Sequence, residues 1–569
     1  MQSPAHEHRC YCGKVYQALA SLQRHARNCP AASSEDCRHL LQLLACLEPQ
    51  PVPGDLFYRT FYPFRLWDED CNESVGQIFH FPSIFETERR LQTTIQDAIN
   101  AGALHVTTTS SMVSSNGLWW ACRYFTLPSP SQVFIRNDMA STQAIDGAGT
   151  MLDFMELQAI RVLLHIFPVA DLDENFVEKG SVFFPFMGLL QRLPTDRLHP
   201  QEIPRAVDVC ISASMFGESQ NKEIMLLVAQ RLSSQTPLLP LKISVQLRQM
   251  KLQLLNGHAI PSLVPPVSGR KGHIQSGEFL LLQSQQAIEE SRLPRAWQLL
   301  QQWAPQDVAH PSGLEIVIRS QIDVMKGKVR RFQGYFELAR QYLEPLVEEN
   351  SPTRIQFSCR LHLAAVYTEL GLWDRSEAIL DATEAKTGRQ VRLLQLSTAE
   401  YYLAQGLAGS ANHLDLAREL YTDLSEKYEA LVPSSKATKR NFFRICFGLA
   451  IISHIKRPAK HRFSMIKALN NWQLAYRACR EGVALAEGFP DLICLLSMAE
   501  IKISLSDQTS DADLQHALQI WCGIIRQKLD QRFFFTNLGT RWANLLCDWL
   551  EIAGKPCFLT RWAIEQGVE

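Results

Sequence analysis

Four residues near the start of the sequence have the types and spacing to hold one metal ion: Cys10, Cys12, His25 and Cys29. Thiolate and imidazole are ligands of tetrahedral zinc, bound at roughly 2.0 to 2.3 Å. His25 and Cys29 stand one helical turn apart, so a helix brings their side chains to one face. Tyr16 and Leu22 supply the small core such a module needs. A unit of about thirty residues buries too little apolar surface to fold alone. The metal supplies the missing free energy, about 10 to 16 kcal/mol in comparable peptides. The segment is therefore expected to fold only with Zn2+, with His6, His8 and Cys37 as substitute ligands.

Cys12, Tyr16, Leu22 and His25 stand at the intervals of the classical zinc-finger family, which this segment resembles over about twenty residues. Two departures stand out. Only Tyr11 separates the cysteine pair, which makes a tighter knuckle, and the fourth ligand is Cys29 rather than a second histidine. The resemblance implies base-facing helix positions at Ala18, Ala20, Ser21 and Arg24. Of these, Arg24 alone can make a strong bidentate base contact. Arg9, Lys14, Arg24 and Arg27 lie between Arg9 and Pro30 with no acidic residue among them, a local charge suited to phosphate. Lys14, Ser21, Arg24 and Arg27 are thus the DNA-contact candidates. One finger covers about three base pairs, so specific binding needs a homodimer or a partner protein.

The remainder predicts a mainly α fold. A zinc-finger module at 1–35 precedes a short amphipathic helix and proline-bearing linker at 36–55, with a boundary near residue 50. Residues 56–258 form a mixed to helical middle domain. Short β-branched runs stand there at Val106–Thr109 and Val133–Ile135 in a mixed pattern, while Met151–Phe167 and Ile211–Leu232 read as helices. A second linker is expected at 259–274, a helical array at 275–555 and a tail at 556–569.

In that array a small residue stands four before a larger one at Ala296/Leu300, Ala339/Leu343, Ser376/Leu380, Ala417/Tyr421, Ala475/Cys479 and Ala517/Trp521, in steps of about forty residues. Small residues so placed let paired helices approach closely, and such a period marks stacked helix hairpins. The unit Leu363, Ala364, Tyr367, Gly371, Trp373, Ser376 and Leu380 resembles a tetratricopeptide repeat, with Ser376 in place of the usual alanine. The other units lack its full set, and the period exceeds the family's usual length of about thirty-four residues. The resemblance implies an α-solenoid whose groove holds protein partners.

With 57 basic and 58 acidic residues the body carries no polyanion-binding excess, so the N-terminal module must meet any nucleic acid. No apolar run is long enough to span a membrane, and no charged leader precedes an apolar stretch; a soluble, intracellular protein without membrane partners is expected. Cysteines scattered from Cys37 to Cys557 are expected to be buried thiols in a reducing compartment. No phosphate loop, serine elbow or catalytic zinc motif is present, and no enzymatic activity is expected. Lys436, Lys439, Arg440, Lys456, Arg457, Lys460 and Arg462 read as a divided nuclear-import signal or as solvated loop charges. The sequence thus points to a nuclear zinc-finger transcription regulator that binds DNA and recruits or dimerises through its helical body. The alternative is a cytoplasmic tetratricopeptide-like adaptor whose finger contacts protein and never DNA.

Overall fold

The computed structural model describes residues 34–505 apart from connecting stretches, the longest of them 109–119, together with His8–Arg9, Val15–Tyr16 and a few positions between 542 and 549. The chain is mainly helical, with 20 α-helices among the described residues. It divides into two compact units, 1–248 and 249–569.

The first unit contains α1 (Glu35–Cys46), α2 (Gly54–Tyr58), α3 (Glu88–Asn100), α4 (Ser129–Ser141), α5 (Met151–Ile166), α6 (Phe176–Phe183), α7 (Ile203–Ala213) and α8 (Ser219–Ser234). The division between units falls inside α9 (Leu239–Leu255). Among the described residues three antiparallel sheets accompany the helices. The first pairs β1 (His8–Arg9) with β2 (Val15–Tyr16), and β3 (Val52–Pro53) lies at the edge of the second. A separate hairpin joins β4 (Phe64–Trp67) to β5 (Glu73–Gly76). In the second sheet β6 (His105–Thr108) and β3 flank β7 (Arg123–Thr126).

Ser34 caps α1 by accepting the Cys37 N–H at 3.4 Å, and Glu35 and Asp36 place negative charge in its first turn. The helix expected to be amphipathic is instead buried from Leu40 to Cys46, because α3, α4 and α5 pack around it. The expected boundary near residue 50 falls within this unit, where Leu41, Val52 and Phe57 share one core. The β-branched run Val133–Ile135 lies in α4. Ser131, Ile135 and Met139 recur every fourth residue on its buried face, and Pro130 occupies the first turn, where no N–H is missed. The helical stretch at 211–232 is two helices, broken between Ala213 and Ser219.

A buried cation closes α5. Arg205 of α7 donates to the carbonyls of Leu164 and Phe167, both at 2.8 Å, and of His165 at 3.3 Å. Its guanidinium carbon stands 4.2 Å from the Phe64 ring centroid. The orphan carbonyls at the negative end of the helix thus receive charged donors. His165 donates from Nε2 to the Tyr62 carbonyl at 2.7 Å. Burial depresses its pKa to about 4, against a modest upward pull from that hydrogen bond.

The second unit is a succession of helix pairs. They are α10 (Gly269–Glu289) with α11 (Leu293–Leu300), α12 (Gly313–Phe332) with α13 (Phe336–Glu348), and α14 (Thr353–Leu370) with α15 (Trp373–Asp381). Next come α16 (Gly388–Leu407) with α17 (Ala411–Glu429), α18 (Lys436–Ile455) with α19 (Arg462–Gly482), and α20 (Phe489–Leu505). Helix α10 begins inside the stretch expected to be a linker. From α10 to α16 a first helix also packs on the next first helix: α10 on α12, α12 on α14, α14 on α16 and α16 on α18.

Ala296, Ala339, Ser376, Ala417 and Ala475 fall on the second helices of successive pairs, and each is fully buried. Ala517 lies outside the described residues. The larger residue four positions on is accommodated by a glycine in two pairs: Leu343 sits against Gly327, and Tyr421 against Gly448. Gly371 turns α14 into α15 at φ +73°, a left-handed conformation that strains any residue with a Cβ. Beside this turn Ser376 donates to the Ala364 carbonyl at 2.9 Å, so its hydroxyl is satisfied within the helix contact.

At the end of the array Trp472 of α19 donates to His454 Nδ1 at 3.0 Å, while His454 Nε2 lies 2.7 Å from Glu500 of α20. An indole only donates, so Nδ1 carries the lone pair and Nε2 donates the proton to the carboxylate. Three helices are joined through one neutral, fully buried imidazole.

Candidate functional site

Strands β1 and β2 pair antiparallel, with His8 registered with Tyr16 and Arg9 with Val15. The residues between them, 10–14, include Cys10, Cys12 and Lys14. Cys10, Cys12, His25 and Cys29 themselves lie outside the described residues, as do Lys14, Ser21, Arg24 and Arg27. Cys37 does not serve as a substitute ligand: it is fully buried in the core of the first unit, on the inward face of α1.

Among the described residues no group of three or more His, Cys, Asp or Glu side chains could hold a metal. The cysteines described are buried, and desolvation pushes the thiols of Cys46, Cys210 and Cys359 up to about 12. At neutral pH they are packing groups rather than nucleophiles.

The helical array places ionic side chains between its rungs. Arg331 of α12 meets Glu369 of α14 at 3.2 Å. Arg444 of α18 donates twice to Glu400 of α16, at 2.7 and 2.6 Å. Both cations belong to first helices, and each pair links neighbouring rungs. Tyr367 of the first helix α14 donates to Glu344 of the second helix α13 at 2.6 Å, with Arg375 of the second helix α15 at 3.4 Å from the same carboxylate. These residues were absent from the candidates read in the sequence. Their partners lie 38 and 44 positions away for Arg331 and Arg444, so only the superposition of rungs brings them together.

The basic cluster also resolves differently from a solvated loop. Lys436, Lys439 and Arg440 occupy the first turns of α18, and Lys456 at its end is ion-paired with Asp415. Arg457 and Lys460 lie outside the described residues, and Arg462 opens α19. No described helix is long and apolar enough to cross a membrane. No family model matches the chain, and no curated protein matches it.

Proposed function

We propose that the protein is a nuclear transcription regulator in which a zinc-organised N-terminal module contacts DNA and a tetratricopeptide-like α-solenoid recruits partners or dimerises. The observation that carries the DNA-binding half is the paired strands on either side of Cys10 and Cys12. With the ligand spacing they match the strand–strand–helix order of a finger, in which His25 and Cys29 lie on the helix and Arg24 faces the groove. Zn2+ held by Cys10, Cys12, His25 and Cys29 supplies the folding free energy of that module and takes no part in chemistry.

The array reading rests on the burial of one small residue in each second helix and on the packing of first helix on first helix from α10 to α18. Such stacking leaves one face of helices for partner recognition. An adaptor in which the finger contacts protein is the second reading, favoured by the helical body alone.

Duplex DNA binding by the intact protein, measured across salt, separates the two. The proposal expects log affinity to fall linearly with log salt as counterions are released, and Lys14→Ala or Arg27→Ala to make that slope shallower by about one unit. Absence of DNA binding at low salt, with zinc bound, overturns the DNA-contacting role and leaves the adaptor.

A further inference from the structure

Helix α19 has two faces that differ in kind from those of an ordinary surface helix. Met465, Ala468, Trp472, Ala475 and Cys479 recur every three or four residues and are buried where the helix packs on α18 and α20. The opposite face carries Phe463, Ile466, Asn470, Leu474 and Arg477 at the same spacing, and all five are exposed. Phe463 is 73% exposed, Ile466 42% and Leu474 40%. Among the described residues no other helix exposes three large apolar side chains, and the two of α9, Leu239 and Leu255, fall on opposite sides of it. Apolar side chains scattered singly over a surface are ordinary, whereas a line of them along one face marks an interaction surface.

The charge on this helix is one-sided. Arg462, Lys467, Arg477 and Arg480 stand against a single carboxylate, Glu481, and all are exposed. Other second helices balance their exposed cations within themselves: Arg340 pairs with Glu337 on α13, and Arg418 with Asp415 and Lys427 with Asp423 on α17. Lys467 and Arg477, which border the apolar stripe, make no ion pair among the described residues. From Phe463 to Leu474 the stripe runs three turns, about 17 Å. That is the length over which one helix lies along another.

We infer that the outer face of α19 docks an acidic amphipathic helix of a partner protein. Large apolar side chains of that helix cover Phe463, Ile466 and Leu474, while its carboxylates meet Lys467 and Arg477. The apolar contact supplies most of the affinity, and the charges at its border select an acidic partner and speed its encounter. A second copy of this chain fits poorly, because any two-fold pairing of the stripe sets cation against cation. A bilayer fits poorly too, since it wets a broad apolar face and this one is a narrow ridge. The inference rests on the partner-recruiting half of the proposed function and is independent of the zinc module.

The test uses the full chain and a fluorescent helical peptide of about fifteen residues, with leucines along one face and glutamates along the other. The same peptide with lysine for each glutamate, and a scrambled one, serve as references. By fluorescence anisotropy the acidic peptide should bind saturably and more weakly as salt rises, and the references should not bind. Phe463→Ser and Leu474→Ser should each weaken binding about tenfold. Both side chains are exposed, so neither change should shift the unfolding temperature. Lys467→Glu combined with Arg477→Glu should abolish binding of the acidic peptide and admit the lysine peptide. Absence of saturable binding by the acidic peptide overturns the inference, as does undiminished binding by a folded variant carrying both Phe463→Ser and Leu474→Ser. A dimer of the free chain that Phe463→Ser dissolves overturns it in favour of a second copy. Binding to phosphatidylserine vesicles that needs Phe463, with no peptide bound, overturns it in favour of a membrane. None of these outcomes alters the salt-dependent DNA measurement, so the two readings fail separately.

Discussion

Tyr421 is held by its ring and penalised by its hydroxyl. The ring packs against Gly448, where an added Cβ would come within 2.4 Å of it, while the hydroxyl is buried with no hydrogen-bond partner among the described residues. Burial accordingly holds the phenol well above its usual pKa. Tyr421→Phe should leave the protein as stable or up to about 1 kcal/mol more stable, since it deletes only the unsatisfied group. Gly448→Ala should cost about 1 to 3 kcal/mol by overpacking. Urea unfolding checks both, and a clear loss in Tyr421→Phe would reveal a partner for the hydroxyl. His165 gives a second residue-scale expectation. Its folded pKa of about 4 lies below the unfolded value near 6.5, so the unfolded chain binds the extra proton between those limits. Its contribution is fully present above about pH 6.5 and falls as pH drops toward 4, on the order of 3 kcal/mol in total. His165→Gln, which keeps a donor for the Tyr62 carbonyl, should flatten stability against pH across that window; an unchanged slope would show that other groups set it.

Helix pairing explains which elements could be read from the sequence. A small residue four before a large one survives as a local signal because both lie on one helix face. Ala296, Ala339, Ser376, Ala417 and Ala475 are accordingly all buried. Ala417→Leu should cost about 1 to 3 kcal/mol, read from the unfolding midpoint; an unchanged midpoint would show that the contact has room. The unit from Leu363 to Leu380 was equally legible, since its glycine, aromatic and small residue are each tied to one turn or contact. Other elements left weaker traces. Strands of four residues or fewer give period-two alternation too little length to register, and Val133–Ile135 took a helix because burial at Ser131, Ile135 and Met139 outweighed β-branching. The α1 helix showed its length but not its enclosure, which depends on three helices distant in sequence. The proposed zinc ligands Cys10, Cys12, His25 and Cys29 rest on spacing and lie outside the described residues, and the paired strands β1 and β2 are what the structure describes near them.

For the whole molecule, the near equality of 57 basic and 58 acidic residues assigns different tasks to different parts. The array spends much of its charge on contacts between its own rungs, as at Arg331–Glu369 and Arg444–Glu400. The stretch from Arg9 to Pro30 has cations and no carboxylate. Metal loading of the full chain should therefore follow that stretch. Cobalt added under reducing conditions should give thiolate charge-transfer and tetrahedral visible bands, lost in Cys12→Ser and retained when the buried Cys37 is replaced by alanine. Retention of the bands in Cys12→Ser would place the metal elsewhere. The central claim, that a zinc-organised module brings this helical body to DNA, is tested most directly by chromatin association of the intact protein beside Cys12→Ser in cells. The account predicts that intact protein is recovered at discrete chromatin sites and that Cys12→Ser, equally abundant, is not. Equal recovery of both, or of neither, would contradict it.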